Sequence, residues 1–171
     1  WKFINGVNYW EENPETGKSD GKTCWDVPEI TTAADGSATI HLTLRYEPEP
    51  EKAVLEESRT IVISPPDWLG AYTLDWHATF TALAPEVLLD RTPIAGEPEG
   101  KTWGGYAGLS LRFSDLATAE VHTELGPLSL NEPQANLDAE AMDFSGLFDG
   151  YACGVAILPG WEGNKGPTPW Y

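Results

Sequence analysis

The chain has 171 residues and a formal net charge of -17, from 10 basic and 27 acidic side chains. A surface this negative repels phosphate backbones and anionic lipid, so we expect no nucleic-acid partner. The apolar runs are far shorter than the ~20 residues that cross a bilayer, and we predict no membrane span. This length suits one domain, and we treat residues 1–171 as a single domain.

The composition and the hydrophobic period favour an all-β protein. Seventeen Gly and 14 Pro indicate many short elements joined by turns. Alternation of apolar and polar residues with period two predicts strands. We place them at Ser37–Tyr46, Val54–Ser64, Tyr72–Leu83, Ala107–Phe113, Thr118–Thr123 and Tyr151–Leu158. The prediction is an antiparallel β-sandwich with long loops and little helix.

Three stretches carry no clear strand period. Residues Thr92 to Tyr106 contain four Gly and predict a long surface loop, and the Gly- and Pro-rich tail after Leu158 predicts another. Asn131 to Asp143 is Ala-rich, which favours a short helix, but part of it also alternates, and we expect irregular structure or strand.

Two cysteines, Cys24 and Cys153, lie far apart and lack Cys-x-x-Cys spacing. They form either a disulfide or two buried thiols, and the sequence leaves both open. The three His residues have no His-x-His or i, i+4 spacing, so we predict no metal site. No phosphate loop or dinucleotide motif is present, and we expect no cofactor.

The opening segment, Asn5-Gly6-Val7-Asn8-Tyr9-Trp10-Glu11-Glu12, carries a family resemblance. Together with the blocks at Glu57–Ile61, Gly104–Arg112 and Met142–Gly146, it resembles the family labelled "methane oxygenase PmoA". That label implies a metal-dependent oxygenase. The family is also similar to large antiparallel supersandwich domains of the galactose-mutarotase type, which implies work on carbohydrates. Because the chain starts and stops abruptly at aromatic residues, we expect the middle of a larger domain, and localisation stays open.

The candidate site consists of polar residues on strands and aromatic residues near them. A sugar ligand needs hydrogen-bonding groups for its hydroxyls and an aromatic plate for its apolar face. We predict Glu57, Asp75 and His77 as catalytic groups, with His41 and His122 as weaker candidates. The predicted substrate-binding residues are Asn8, Trp10, Arg59, Trp103, Arg112 and Trp170.

Three functions remain open at this point. The first is a domain that binds or processes carbohydrate, with a small-molecule or oligosaccharide ligand. The second is a non-catalytic structural or protein-interaction module. The third is the metal-dependent oxygenase that the resemblance implies. The alternative for any of these polar residues is that it faces solvent on its strand and has no functional role.

Overall fold

The structure is a computed structural model that describes residues 1–102, 104–105, 109–111, 117–129, 137–160 and 169–170, with the backbone alone for 117, 137–138 and 169–170. No helix occurs in these ranges. The all-β prediction is confirmed, because the strands form antiparallel sheets consistent with a β-sandwich. None of the described ranges contains a helix of the length and apolar character that a membrane crossing requires.

The chain divides into two compact units, Trp1–Asp90 and Arg91–Tyr171. The strands of the first unit are β1 (Phe3–Ile4), β2 (Val7–Asn8), β3 (Lys22–Trp25), β4 (Glu29–Thr32), β5 (Ala38–Glu47), β6 (Leu55–Ile63), β7 (Leu74–Ala82) and β8 (Leu89–Asp90). Those of the second are β9 (Ala117–Thr123), β10 (Gly126–Leu128), β11 (Leu137–Asp138), β12 (Met142–Phe148), β13 (Tyr151–Ile157) and β14 (Pro169–Trp170).

The largest sheet of the first unit has the order β3-β5-β6-β7, and β4 pairs with β5 beside β3. Its three long strands, β5, β6 and β7, are among the strands predicted from the sequence, and β5 and β7 carry the clearest period-two pattern. Pairing between β6 and β7 runs without a break from Leu55 opposite Ala82 to Ile63 opposite Leu74. A smaller sheet, β2-β1-β8, contributes the fully buried Ile4, which joins Leu44 and Leu55 among the buried apolar residues of this unit.

The second unit contains the sheet β10-β9-β12-β13 and the pair β11-β14. The strands predicted at Thr118–Thr123 and Tyr151–Leu158 are present as β9 and β13. The prediction for Ala107–Phe113 is wrong in its described part, because Leu109–Leu111 lie in no strand and are exposed. Their alternation alone does not make a strand, since a strand also requires a partner for its backbone groups.

The loop predicted at Thr92–Tyr106 is confirmed in its described part, where Ile94 and Lys101 form one isolated bridge. Asn131 to Asp143 lies partly outside the described residues, and its described part includes β11 and the start of β12. In the tail, Pro169–Trp170 form β14 where we predicted irregular structure. A Pro at the first position of a strand is compatible with strand pairing. The many Gly and Pro residues of the tail therefore gave no sign of this strand.

Candidate functional site on the five-stranded sheet

The register of the large sheet sorts its side chains onto two faces. Residues directly opposite one another across antiparallel strands point to the same side of the sheet. We call one side the aromatic face, and it carries Trp25, Ile30, Leu44, Tyr46, Glu57, Arg59, Leu74, Trp76 and Phe80. We call the other side the hydroxyl face, and it carries Thr39, His41, Thr43, Ser58, Thr60, Asp75, His77, Thr79 and Thr81.

Glu57 is the central polar residue of the aromatic face. It is only 1% exposed and lies between Leu44 of β5 and Phe80 of β7. A buried carboxylate is costly unless it is paired and hydrogen-bonded. Its Oε1 accepts from Nε of Arg59 at 2.5 Å, and its Oε2 accepts from Nη2 of Arg59 at 2.9 Å and from the Tyr46 hydroxyl at 2.6 Å.

The two hydrogen bonds that Arg59 donates fix the position of its side chain. A bidentate pair holds a guanidinium in one plane, and this one also lies 4.5 Å from the ring centroid of Trp76 in a cation–π contact. The Arg59 side chain is 21% exposed, and Trp76 is 45% exposed. The arrangement therefore holds a fixed donor group against one face of a half-exposed aromatic ring at the surface of the sheet.

Two tyrosines support this cluster. Burial raises the pKa of Tyr46, and the hydrogen bond to Glu57 raises that pKa further. Burial also raises the pKa of Tyr9 to about 12, with a smaller contribution from the negative charge of Glu47. Both hydroxyls therefore stay protonated near neutral pH, so Tyr46 is a hydrogen-bond donor to the carboxylate.

Tyr9 packs edge to face against Tyr46, with ring centroids 5.7 Å apart. A Cβ atom added at Gly21 would lie 2.5 Å from the Tyr9 ring, so only glycine leaves room for this ring. The Tyr9 hydroxyl is buried and makes no hydrogen bond among the described residues. The two rings thus pack together next to the hydrogen bond between Tyr46 and Glu57.

The predicted catalytic residues do not come together. Glu57 belongs to the aromatic face, whereas Asp75 and His77 belong to the hydroxyl face. The reason is the register between β6 and β7, which sets His77 opposite Thr60 and Asp75 opposite Val62, so both point away from Glu57. A proton transfer that uses these three residues on one substrate would need them on the same side of the sheet.

The hydroxyl face carries His77 in one row with Thr60 and His41. Nδ1 of His41 lies 2.9 Å from Oγ1 of Thr60, and both His residues are exposed. The weaker candidate His122 lies in the second unit, where its Nε2 is 3.3 Å from Oε2 of Glu120. Contacts of this kind are ordinary between side chains at the surface of a sheet and do not indicate a catalytic role.

Among the predicted binding residues that the structure describes, Arg59 is the one that contacts Glu57 on the aromatic face. Asn8 instead holds a turn, since its Oδ1 accepts from the backbone N–H groups of Trp10 and Glu11 at 2.9 and 3.0 Å. Trp10 is partly exposed beside this turn. Trp103 and Arg112 lie outside the described residues, and Trp170, which we predicted in a loop, belongs to β14.

Sequence reasoning missed the role of Tyr46. Its place on the apolar side of β5 predicts core packing, and only the register with β6 reveals the hydrogen bond to Glu57. Alternation along β7 predicts that Trp76 and Phe80 lie on one side of the strand, but the contact of Trp76 with Arg59 depends on the diagonal offset between two strands.

Within the described residues, neither the cysteines nor other potential metal ligands form a disulfide or a metal centre at this site. Cys24 and Cys153 are both free thiols, one half-buried in the first unit and one exposed in the second. The alternative of two buried thiols is wrong for Cys153, whose strand β13 is exposed along most of its length. Across the described ranges, no group of three or more His, Cys, Asp or Glu residues is placed to hold a metal ion.

Comparison with known proteins changes the family assignment. The resemblance to the family labelled "methane oxygenase PmoA" is wrong, because the matching family model is a different one. Alternating strand segments such as Glu57–Ile61 recur in unrelated antiparallel sheets, so they separate families poorly. The oxygenase function depended on that resemblance and loses its basis.

No curated protein and no solved structure matches the chain. One family model covers its whole length, from residue 1 to residue 171. The chain therefore belongs to DUF6807, a family of unknown function.

Proposed function

We propose that the aromatic face binds a carbohydrate through Trp76 and Arg59. The observation that carries this proposal is the Arg59 guanidinium, which is held by a buried carboxylate and stacked on a half-exposed indole ring. An aromatic ring beside an oriented donor offers both contacts that a sugar requires, one for its C–H surface and one for its hydroxyls.

A binding role follows from the geometry more readily than a catalytic one. Glu57 is buried and accepts three hydrogen bonds, so it serves to hold Arg59 and is not open to a substrate. The positive charge of Arg59 is balanced by Glu57, and the chain as a whole is strongly negative. We therefore expect a neutral saccharide in preference to an acidic one.

Isothermal titration calorimetry with a panel of neutral mono- and oligosaccharides tests this proposal. We expect saturable binding by at least one sugar, and about tenfold weaker binding by Trp76→Ala, which corresponds to ~1.4 kcal/mol. Trp68→Ala is the matched control, because Trp68 is 89% exposed in the turn between β6 and β7 and belongs to neither face. Equal affinity in the two variants would place the sugar elsewhere, and the absence of binding by the whole panel would refute the proposal.

A second candidate, a protein-interaction module, is favoured by the other exposed side chains of the aromatic face. Trp25, Ile30 and Leu74 are more than half exposed and, apart from the Trp25 indole, offer no side-chain hydrogen bond to a sugar. Exposed apolar side chains on one face of a sheet are available for contact with a protein partner. Under this alternative, Ile30→Ser would weaken capture of a protein partner, while no sugar in the panel would bind.

A further inference from the structure

Among the residues that the structure describes, β7 forms an unpaired edge of the large sheet. All nine residues of this strand are exposed, and within the described residues β6 is its only pairing partner. A strand at an edge presents unpaired N–H and C=O groups along one side, which makes it a template for another strand. Because β7 is long and regular, a second strand has room to pair along the whole of this edge.

Few of the usual protective features are present on β7. Its sequence, Leu-Asp-Trp-His-Ala-Thr-Phe-Thr-Ala, contains no Pro, no Lys and no Gly, and its register with β6 shows no bulge. Asp75 is its one carboxylate, and it points to the hydroxyl face. The strand is therefore compatible with pairing along its whole length.

We propose that β7 pairs antiparallel with β7 of a second copy of this chain, about a two-fold axis at Ala78. Two-fold symmetry is the commonest arrangement of homodimers, and it makes the contact self-complementary. With the axis at Ala78, Leu74 of one copy lies opposite Ala82 of the other, so every residue of the strand is paired. The two large sheets then become one continuous sheet.

The side chains agree with this register. On the aromatic face, Trp76 meets Phe80 of the second copy and Leu74 meets Ala82, which pairs two aromatic rings and sets a large residue against a small one. On the hydroxyl face, Asp75 meets Thr81 and His77 meets Thr79. No charged side chain lies opposite a like charge.

The neighbouring register is less favourable. An axis at His77 sets the two His77 side chains opposite one another and leaves two residues of each strand, Thr81 and Ala82, without a partner inside β7. This comparison singles out Ala78 as the residue that faces its own copy. The inference does not rest on the sugar site, but the two share Trp76, because the pairing sets Phe80 of the second copy beside the ring that we propose for the sugar.

Site-directed cross-linking tests the register directly. In a Cys24→Ser, Cys153→Ser background, Ala78→Cys places two thiols on opposed residues, whose Cβ atoms are about 4.5–5.5 Å apart in such pairs. Ala82→Cys is the matched control, being exposed on the same face of the same strand. Its two thiols would be more than ~20 Å apart, at eight residues of strand separation.

With a short bismaleimide, we expect several-fold more cross-linked dimer from Ala78→Cys than from Ala82→Cys. Sedimentation equilibrium of the unmodified protein should show a concentration-dependent dimer. Ala78→Glu should weaken this dimer about tenfold, because it sets two carboxylates against each other. Equal cross-linking by the two cysteine variants, or a monomer at every concentration, would overturn the proposal, whatever the outcome of the sugar titration.

Discussion

At the scale of single residues, the environment of Glu57 decides what the aromatic face can do. A carboxylate on an otherwise apolar side of a sheet is tolerated because Arg59 and Tyr46 satisfy its two oxygens. The result is an arginine that has lost most of its rotamer freedom before any ligand arrives. Preorganisation of this kind reduces the entropy that binding must overcome.

The buried pair should be sensitive to the loss of its charge. Replacing Glu57 by Gln leaves the Arg59 guanidinium partly buried without its counter-charge, and breaking a buried pair of this kind costs about 3 kcal/mol of unfolding free energy. Urea denaturation measures the change. Glu56→Gln is the matched control, since Glu56 precedes it on β6 and points to the hydroxyl face. An equal, small change in both variants would show that the pair does not stabilise the sheet.

At the scale of elements, the loop from Arg91 to Gly105, whose described residues belong to no strand, shows how an irregular segment is held in place. Nη1 and Nη2 of Arg91 bind the two oxygens of Glu97 at 2.8 and 2.7 Å. The backbone N–H of Ile94 donates to the same carboxylate at 2.9 Å. At the base of the loop, the Gly105 N–H donates to the Thr92 carbonyl at 2.8 Å. One side-chain pair therefore fixes the centre of the loop.

This loop has a predictable dependence on pH. The Arg91 hydrogen bonds, with that of the Ile94 N–H, lower the pKa of Glu97 from 4.5 to about 2. Because the pKa is lower in the folded state, the stabilisation is complete above pH 4.5 and disappears as the pH falls through about 2. Carboxyl NMR titration should find this low pKa.

Arg91→Gln should raise the pKa of Glu97 toward 4.5, because the largest contribution to its shift is removed. Lys101→Gln removes the same charge from the same loop and should leave that pKa low. A Glu97 carboxylate that titrates near 4.5 in the unmodified protein would contradict this account of the loop.

The elements also show what the sequence can and cannot predict. Strands β5 and β7 are predictable because apolar and polar residues alternate along ten and nine residues. In β6 neither side is wholly apolar, because Glu57 and Arg59 stand among its apolar residues. Strands β3 and β4 have four residues each, which is too few for a period to emerge. The sides of Glu57 and Asp75 follow from alternation within each strand, but their relation to one another depends on the register across the turn at 64–73.

At the scale of the whole molecule, two properties bear on function: a net charge of -17 and the exposed rings of the aromatic face. The charge disfavours phosphate-bearing and acidic ligands, while the face offers rings and one oriented guanidinium. A neutral ligand with both hydroxyls and an apolar surface fits these two properties together. Carbohydrate is the class that we expect.

Chemical-shift perturbation of the tryptophan indole N–H groups, during titration with a neutral oligosaccharide from the binding panel, tests this claim most directly. We predict that the Trp76 indole resonance moves with saturation, together with the Arg59 side-chain resonance, while that of Trp68 stays fixed. A sugar that shifts Trp68 or other distant indoles and leaves Trp76 and Arg59 unchanged would contradict the proposed site.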